Sequence, residues 1–268
     1  MRRMSAVLSL AVLASCARSG GTPSSGSNAE LVSRVIEYKH GDAVLEGYLV
    51  YKSGDEKRPG VLVCHEWKGH GPYVRLRAEE LARLGYVAFA LDIYGKGVVA
   101  KDHTEAAKLA GMYKGNRTLM RGRVKAGYDV LAGQSVCDAK KIAVMGYCFG
   151  GTCALELARS GVPVAGVATF HGDLSTPTPE DAKNIKGKVI AFHGADDPFV
   201  KPEVVLAFED EMRKGGVDWQ LVLFGGTVHS FTVREAGSDP STGMAYNEKS
   251  DQRSWAMLED FLDECFGR

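Results

Sequence analysis

The stretch from Lys141 to Arg159 narrows the choice of folds more than any other part of this chain. An apolar run, Lys141-Ile142-Ala143-Val144-Met145, reads as a buried strand, and Thr152-Cys153-Ala154-Leu155-Glu156-Leu157-Ala158-Arg159 reads as a helix. Between them lies Gly146-Tyr147-Cys148-Phe149-Gly150-Gly151. A strand that turns into a helix within so few residues lifts one side chain clear of the backbone. The flanking glycines have a mechanical reason: the residue at the bend is held in a strained conformation, and its neighbours pass too close to it to carry a Cβ. Here the raised atom is the sulfur of Cys148. The helix start behind it offers unsatisfied N–H groups and a partial positive charge, which favour thiolate. A free core cysteine on a glycine-rich turn would look the same in isolation, so the rest of the chain has to decide.

The alternation of strand and helix continues along the chain. Val44–Tyr51 reads as an early strand with Ser33–Tyr38 as its hairpin partner. Gly60–Cys64, Tyr86–Leu91, Val164–Phe170, Lys188–Phe192 and Trp219–Phe224 read as further strands. Helical spacing covers Tyr73–Leu84, with Leu76, Leu81 and Leu84 on one side. It also covers Ala106–Ala132 with a break near Lys114-Gly115-Asn116, Pro202–Lys214 ending at Gly215-Gly216, and Glu248–Cys265. Continuous apolar strands separated by helices imply an α/β fold with a mainly parallel sheet covered on both faces. No repeat, linker or change of composition interrupts residues 31–268, which are expected to form one domain. The charge is balanced, 33 Lys and Arg against 33 Asp and Glu, so nothing points to nucleic acid as a partner.

Residues 1–16 are expected to lie outside that domain. Arg2 and Arg3 precede a short apolar run that ends in Leu13-Ala14-Ser15-Cys16, too short for an ordinary membrane span. The pattern resembles a bacterial lipoprotein signal, which implies cleavage before Cys16 and a lipid anchor on its thiol. Residues 17–30, rich in Ser and Gly, would then be a flexible tether. Ala17 is not the aspartate that resembles an inner-membrane retention signal, so the outer membrane is the expected destination. An ordinary secretory signal with a chance cysteine is the alternative. Cys64, Cys137, Cys153 and Cys265 remain. They permit two disulfides in three pairings, or they are buried free thiols.

Catalytic groups in a parallel sheet collect at the carboxyl ends of the strands. After Lys188–Phe192 comes His193-Gly194-Ala195-Asp196-Asp197-Pro198-Phe199-Val200, and after Trp219–Phe224 comes Gly225-Gly226-Thr227-Val228-His229-Ser230-Phe231. The order Cys148, aspartate, His229 is the nucleophile–acid–histidine order of α/β-hydrolases. A thiol of ordinary pKa is mostly protonated at neutral pH. His229 can take that proton and return one to a leaving group, and an aspartate on its other nitrogen fixes the tautomer. Asp197 suits this role, because Asp-Pro-Phe-Val leads into the next helix. Asp196 then reads as a turn residue.

With these pieces in place, the chain resembles the dienelactone hydrolase family over roughly residues 34 to 265. The matching segments are Gly146-Tyr147-Cys148-Phe149-Gly150-Gly151, Asp197-Pro198-Phe199-Val200, His229-Ser230-Phe231, His65-Glu66-Trp67-Lys68-Gly69, Leu84-Gly85-Tyr86 and Asp92-Ile93-Tyr94-Gly95. The resemblance implies an α/β-hydrolase fold and a cysteine-dependent hydrolase that opens a lactone or small ester without a cofactor. It implies that Glu66 contacts the resting thiol and helps to form the thiolate when substrate arrives. It also implies that the N–H groups of Trp67 and Phe149 form the oxyanion hole. The family's typical substrates carry a carboxylate read by arginines, and here the pattern departs: four residues separate His229 from Arg234. Arg75, Arg117, Arg121 and Arg234 are the candidates for substrate contact. A general carboxylesterase or thioesterase, and a non-catalytic binding lipoprotein on the same fold, are the competing readings. Cys64, His65, His70 and His171 fall in strand-end loops but show no compact ligand spacing, so no metal is expected.

Overall fold

The computed structural model describes residues 30–268. The lipoprotein-like segment, with Cys16, lies outside the described residues. Eight strands form a single sheet in the order β1-β2-β4-β3-β5-β6-β7-β8. The hairpin of β1 (Leu31–His40) and β2 (Ala43–Lys52) opens the chain, and β2 runs antiparallel to β4 (Val87–Leu91). From β4 onward every pairing is parallel, through β3 (Arg58–Cys64), β5 (Cys137–Tyr147), β6 (Gly166–Phe170), β7 (Lys188–Gly194) and β8 (Trp219–Phe224). All five residues of β4 and all five of β6 are buried, as expected where helices cover both faces.

Those helices are α1 (Pro72–Arg83), α2 (His103–Lys114), α3 (Arg117–Ala132), α4 (Phe149–Arg159), α5 (Pro202–Gly215) and α6 (Glu248–Phe266). The break expected near Lys114-Gly115-Asn116 is real: Gly115 ends α2, and the Asn116 side chain caps α3 by accepting from Leu119 N–H. Gly216 closes α5 at φ 66°, a left-handed position that suits glycine. The buried face of α1 differs from the expected leucine stripe. Val74, Ala78, Leu81 and Ala82 are buried, whereas Leu76 and Leu84 are exposed. Residues 74, 78, 81 and 82 follow the helical period, while 76 lies five residues from 81 and on another side.

Because β3 to β8 are parallel, their carboxyl ends share one edge of the sheet. Glu66, Cys148, His171, Asp197 and His229 all follow strand ends at this edge. None of the described cysteines is paired: Cys64, Cys137, Cys148, Cys153 and Cys265 are free thiols.

Candidate active site

The bend at the end of β5 has the strain expected of it. Cys148 sits at φ 53° and ψ −118°, outside the regions favoured by L-residues. The tight packing around it excludes side chains. A Cβ on Gly146 would collide with the Gly150 carbonyl, one on Gly150 with the Cys64 carbonyl, and one on Gly151 with the Thr169 hydroxyl. The Cys148 N–H is held by the Phe170 carbonyl at 2.9 Å, so the bend is tied to the neighbouring strand.

Three side chains from three strand ends meet here. His229 Nε2 lies 3.2 Å from Cys148 Sγ, and His229 Nδ1 lies 2.7 Å from Asp197 Oδ2. The other Asp197 oxygen accepts from Phe199 N–H at 2.8 Å. With Nδ1–H donating to the carboxylate, Nε2 is the nitrogen that faces the thiol. Asp197 and His229 are buried, whereas Asp196 points into solvent. Burial alone would lower the pKa of His229. The Cys148 sulfur and the Asp197 carboxylate outweigh it and hold the imidazole well above its ordinary range.

The His229 loop is anchored on both sides. Its backbone exchanges hydrogen bonds with the strap at Gly243–Ala245, N–H to Gly243 at 3.1 Å and carbonyl from Ala245 at 3.1 Å. Behind it His171, fully buried, sets its ring edge-on to His229 with centroids 5.1 Å apart. Burial and the neighbouring His229 push His171 far below the usual imidazole pKa, so it stays neutral. Its Nε2 meets Thr232 Oγ1 at 2.8 Å, and Thr232 in turn meets Tyr73 Oη at 2.7 Å. Arg77, nearly buried, donates to the Thr232 carbonyl at 3.0 Å and to Asp251 at 2.6 Å. This network fastens the loop to α1 and α6.

The sulfur opens into a cavity of about 230 Å³ lined by Trp67, Ala110, Lys114, Cys148, Phe149, Asp173, Phe199, Val200, His229 and Met244. Trp67 and Phe149 both line it, and the backbone N–H of neither takes part in a hydrogen bond among the described residues. Two free donors on residues beside a half-buried sulfur form an arrangement that can hold a developing negative charge on oxygen.

Glu66 lies close enough to His229 for their charges to interact. Its carboxyl makes no hydrogen bond to Cys148, whose partner is His229. It lines a second, larger cavity, which shares Trp67 and Met244 with the first. Burial raises its pKa to about 7, against the opposing charges of His229 and Lys68.

None of the four arginines proposed for substrate contact lines the cavity at the sulfur. Arg75 lies over the Tyr48 ring of β2. Arg117 reaches the Ser175 carbonyl, Arg121 is clamped by Glu156 at 2.8 Å and Asp181 at 2.7 Å, and Arg234 stacks on Tyr246. The cation at this cavity is Lys114, paired with Asp173 at 2.8 Å. Asp173 follows the end of β6, a position that strand-end reasoning could have flagged; Lys114 carried no such signal. The residues considered for a metal are each used separately. His65 Nδ1 meets the Glu66 carbonyl, His70 meets the Ala90 carbonyl and His171 meets Thr232. Among the described residues no group of three or more His, Cys, Asp or Glu is placed to hold an ion.

A mixed sheet of this order, with a strained bend after β5 and a histidine after the last strand, is that of an α/β-hydrolase. The comparisons with known proteins carry this further. The family model for the dienelactone hydrolase family matches residues 45–266, and the chain belongs to that family. It is 27% identical over 237 residues to Protein usf of Aquifex pyrophilus, covering 87% of this chain and 99% of that protein. It is 27% identical over 235 residues to an Aquifex aeolicus protein named "Putative carboxymethylenebutenolidase", covering 86% of this chain and 98% of the other. Among solved structures, a dienelactone hydrolase-like promiscuous phosphotriesterase from metagenomic libraries superposes with a TM-score of 0.83 at 37% identity. That match covers 88% of this chain and 99% of that one. The chain is thus a hydrolase of the dienelactone hydrolase type.

Proposed function

We propose that this protein hydrolyses a lactone or small carboxylic ester through an acyl-enzyme on Cys148. The observation that carries the reading is the hydrogen-bonded line Cys148–His229–Asp197 opening beside the two free amides of Trp67 and Phe149. The sulfur attacks the carbonyl carbon while its proton passes to His229 Nε2. The carbonyl oxygen, now negative, is held by the two N–H groups. Collapse breaks the C–O bond to the alcohol, and His229 gives its proton to the departing alkoxide. A water molecule, deprotonated by His229, then attacks the thioester and releases the carboxylic acid. Asp197 keeps Nδ1 as the donor throughout and stabilises the imidazolium.

The cavity at the sulfur is small and mostly apolar, and the lysine in its lining, Lys114, is already paired to Asp173. This favours a compact, neutral acyl group over one with a free carboxylate. The test is a panel of neutral lactones, small esters and thioesters, with a neutral phosphotriester added because of the phosphotriesterase relative. Intact mass should show an acyl adduct on Cys148 in the presence of a slow ester. No turnover and no adduct across the panel would leave the binding-protein reading.

Glu66 is read as an assisting carboxylate. Its pKa of about 7 makes it neutral in mild acid and charged above neutrality. Glu66→Gln should lower turnover and remove a limb near pH 7 from the pH–rate profile. Alkylation of Cys148 without substrate should stay near the wild-type rate, because the resting thiol is already paired with His229. A clear rise in alkylation would instead show that Glu66 holds the resting thiol neutral. A carboxyl whose folded pKa is raised costs stability as pH climbs from 4.5 through 7, so the wild type should lose thermal stability across that window relative to Glu66→Gln.

The membrane anchor rests on Leu13-Ala14-Ser15-Cys16. Cells expressing the full chain should incorporate a palmitate analogue into the wild type and not into Cys16→Ser, with the label in the outer-membrane fraction. Equal labelling of both would rule out this anchor.

A further inference from the structure

His65 is a buried histidine that the triad does not use. It follows the last residue of β3, and backbone groups engage both of its ring nitrogens. Ile93 N–H donates to Nε2 at 3.2 Å, so Nε2 carries the lone pair and Nδ1 the proton. That proton is given to the Glu66 carbonyl at 2.6 Å. Burial, working against the bond to Glu66, lowers the His65 pKa to about 4. The ring therefore stays neutral, in this one tautomer, near neutral pH.

The Glu66 carbonyl and the Trp67 N–H are the two ends of one planar peptide unit. The same carbonyl accepts from Gly69 N–H at 3.1 Å, which closes the turn at 66–69. Two donors on one carbonyl draw electron density to its oxygen and make the N–H at the other end a stronger donor. They also fix the plane in which that N–H lies. The following peptides are held by other groups: the Trp67 carbonyl accepts from Tyr94 Oη at 2.9 Å, and the Lys68 carbonyl from Ala100 N–H at 2.8 Å. The His65 ring itself is confined by Tyr94, edge-on with centroids 4.8 Å apart, and by Phe149 at 6.1 Å. Phe149 carries the second free N–H at the sulfur.

We propose that His65 is a positioning residue for the oxyanion hole: its Nδ1–H, given to the Glu66 carbonyl, holds and polarises the peptide whose Trp67 N–H meets the negative oxygen. This rests on the hydrolase reading of Cys148 and on the two amides as oxyanion donors. His65 does not touch the substrate. Its effect is felt only as charge develops on the carbonyl oxygen, so it should govern acyl transfer and leave other reactions of the sulfur alone.

The test compares wild type with His65→Asn and His65→Leu, two side chains of similar size. Asn carries an NH₂ on Cγ, where Nδ1 stands, and can still donate to the Glu66 carbonyl; Leu cannot. Both lose the Nε2 acceptor, so the loss of the Ile93 bond weighs on both alike. His65→Leu should lower kcat/KM for a small ester by about ten-fold or more, and His65→Asn by about three-fold or less. Alkylation of Cys148 by iodoacetamide builds no charge on oxygen; sulfur displaces iodide, and the thiol proton goes to His229. Its rate should stay within about two-fold of wild type in both variants. Equal turnover in the two folded variants, or alkylation that falls in step with turnover, overturns the proposal.

A second readout does not need turnover. A trifluoromethyl ketone takes the Cys148 sulfur onto its carbonyl carbon; the C=O π pair moves to oxygen, and the thiol proton goes to His229. Affinity for this ketone should fall by about ten-fold or more in His65→Leu and hold in His65→Asn. If that pattern appears while no ester is turned over, the hydrolase reading fails and the positioning role stands. If the two variants bind the ketone equally, or wild type forms no adduct, the positioning role fails. Nitrogen NMR of the wild type with labelled histidine should show His65 neutral with its proton on Nδ1. A proton on Nε2 overturns the proposal whether or not the variants fold.

Discussion

Cys148→Ala is expected to reduce ester and lactone turnover by about 10⁴-fold or more, to near the rate set by binding and the oxyanion donors alone. No other group at the bend can replace the sulfur. The nearest thiols, Cys64 and Cys153, are buried in the core with their pKa values driven up by burial. His229 would remain, but with nothing to deprotonate except water, and no covalent acyl adduct could form. The fold should survive, because alanine is smaller than cysteine and the strain at φ 53° belongs to the backbone. Unchanged circular dichroism and melting temperature, together with loss of the acyl adduct by mass, distinguish loss of chemistry from loss of structure. Retention of full activity by the folded variant would sink the mechanism.

Asp197→Asn should cost about 10³- to 10⁴-fold in turnover, or roughly 4 to 5.5 kcal/mol of transition-state stabilisation. The carboxylate has two jobs. Oδ1 accepts from Phe199 N–H, which an asparagine oxygen can still do. Oδ2 accepts from His229 Nδ1–H at 2.7 Å. An amide NH₂ in that place donates instead, which makes Nδ1 the acceptor and turns Nε2–H toward the sulfur. The histidine then cannot take the thiol proton. Asp196→Asn should stay within about two-fold of wild type, as expected for an exposed turn residue whose side chain makes no hydrogen bond to the histidine. The reverse ranking of the two variants would reassign the acid. The pH profile adds a second check. His229 is held above its ordinary pKa partly by Asp197, so the limb that reports imidazolium should shift to lower pH in Asp197→Asn.

The sheet was legible because its strands are short apolar runs and its turns are punctuated by Gly and Pro. The bend at Cys148 was legible for the same local reason: glycines at 146, 150 and 151 are required wherever β5, α4 and the neighbouring strand ends crowd together. The order of cysteine, aspartate and histidine needed only the rule that parallel strands deliver their loops to one edge. The stripe on α1 went astray because leucines were counted by kind, while burial follows helical phase and was carried by Val74, Ala78 and Ala82.

The sequence by itself determined the α/β architecture, the bend and the three side chains that meet there, since each depends on local pattern and chain order. Only the tertiary structure decided what surrounds them. It set Glu66 in the lining of the second cavity, left Arg75, Arg117, Arg121 and Arg234 outside the first, and placed Lys114, Asp173 and Met244 in the walls of that first cavity. It also packed neutral His171 against His229. These relations join loops that follow different strands, tens to more than a hundred residues apart in sequence. Their geometry depends on loop paths and side-chain packing, which no short motif encodes.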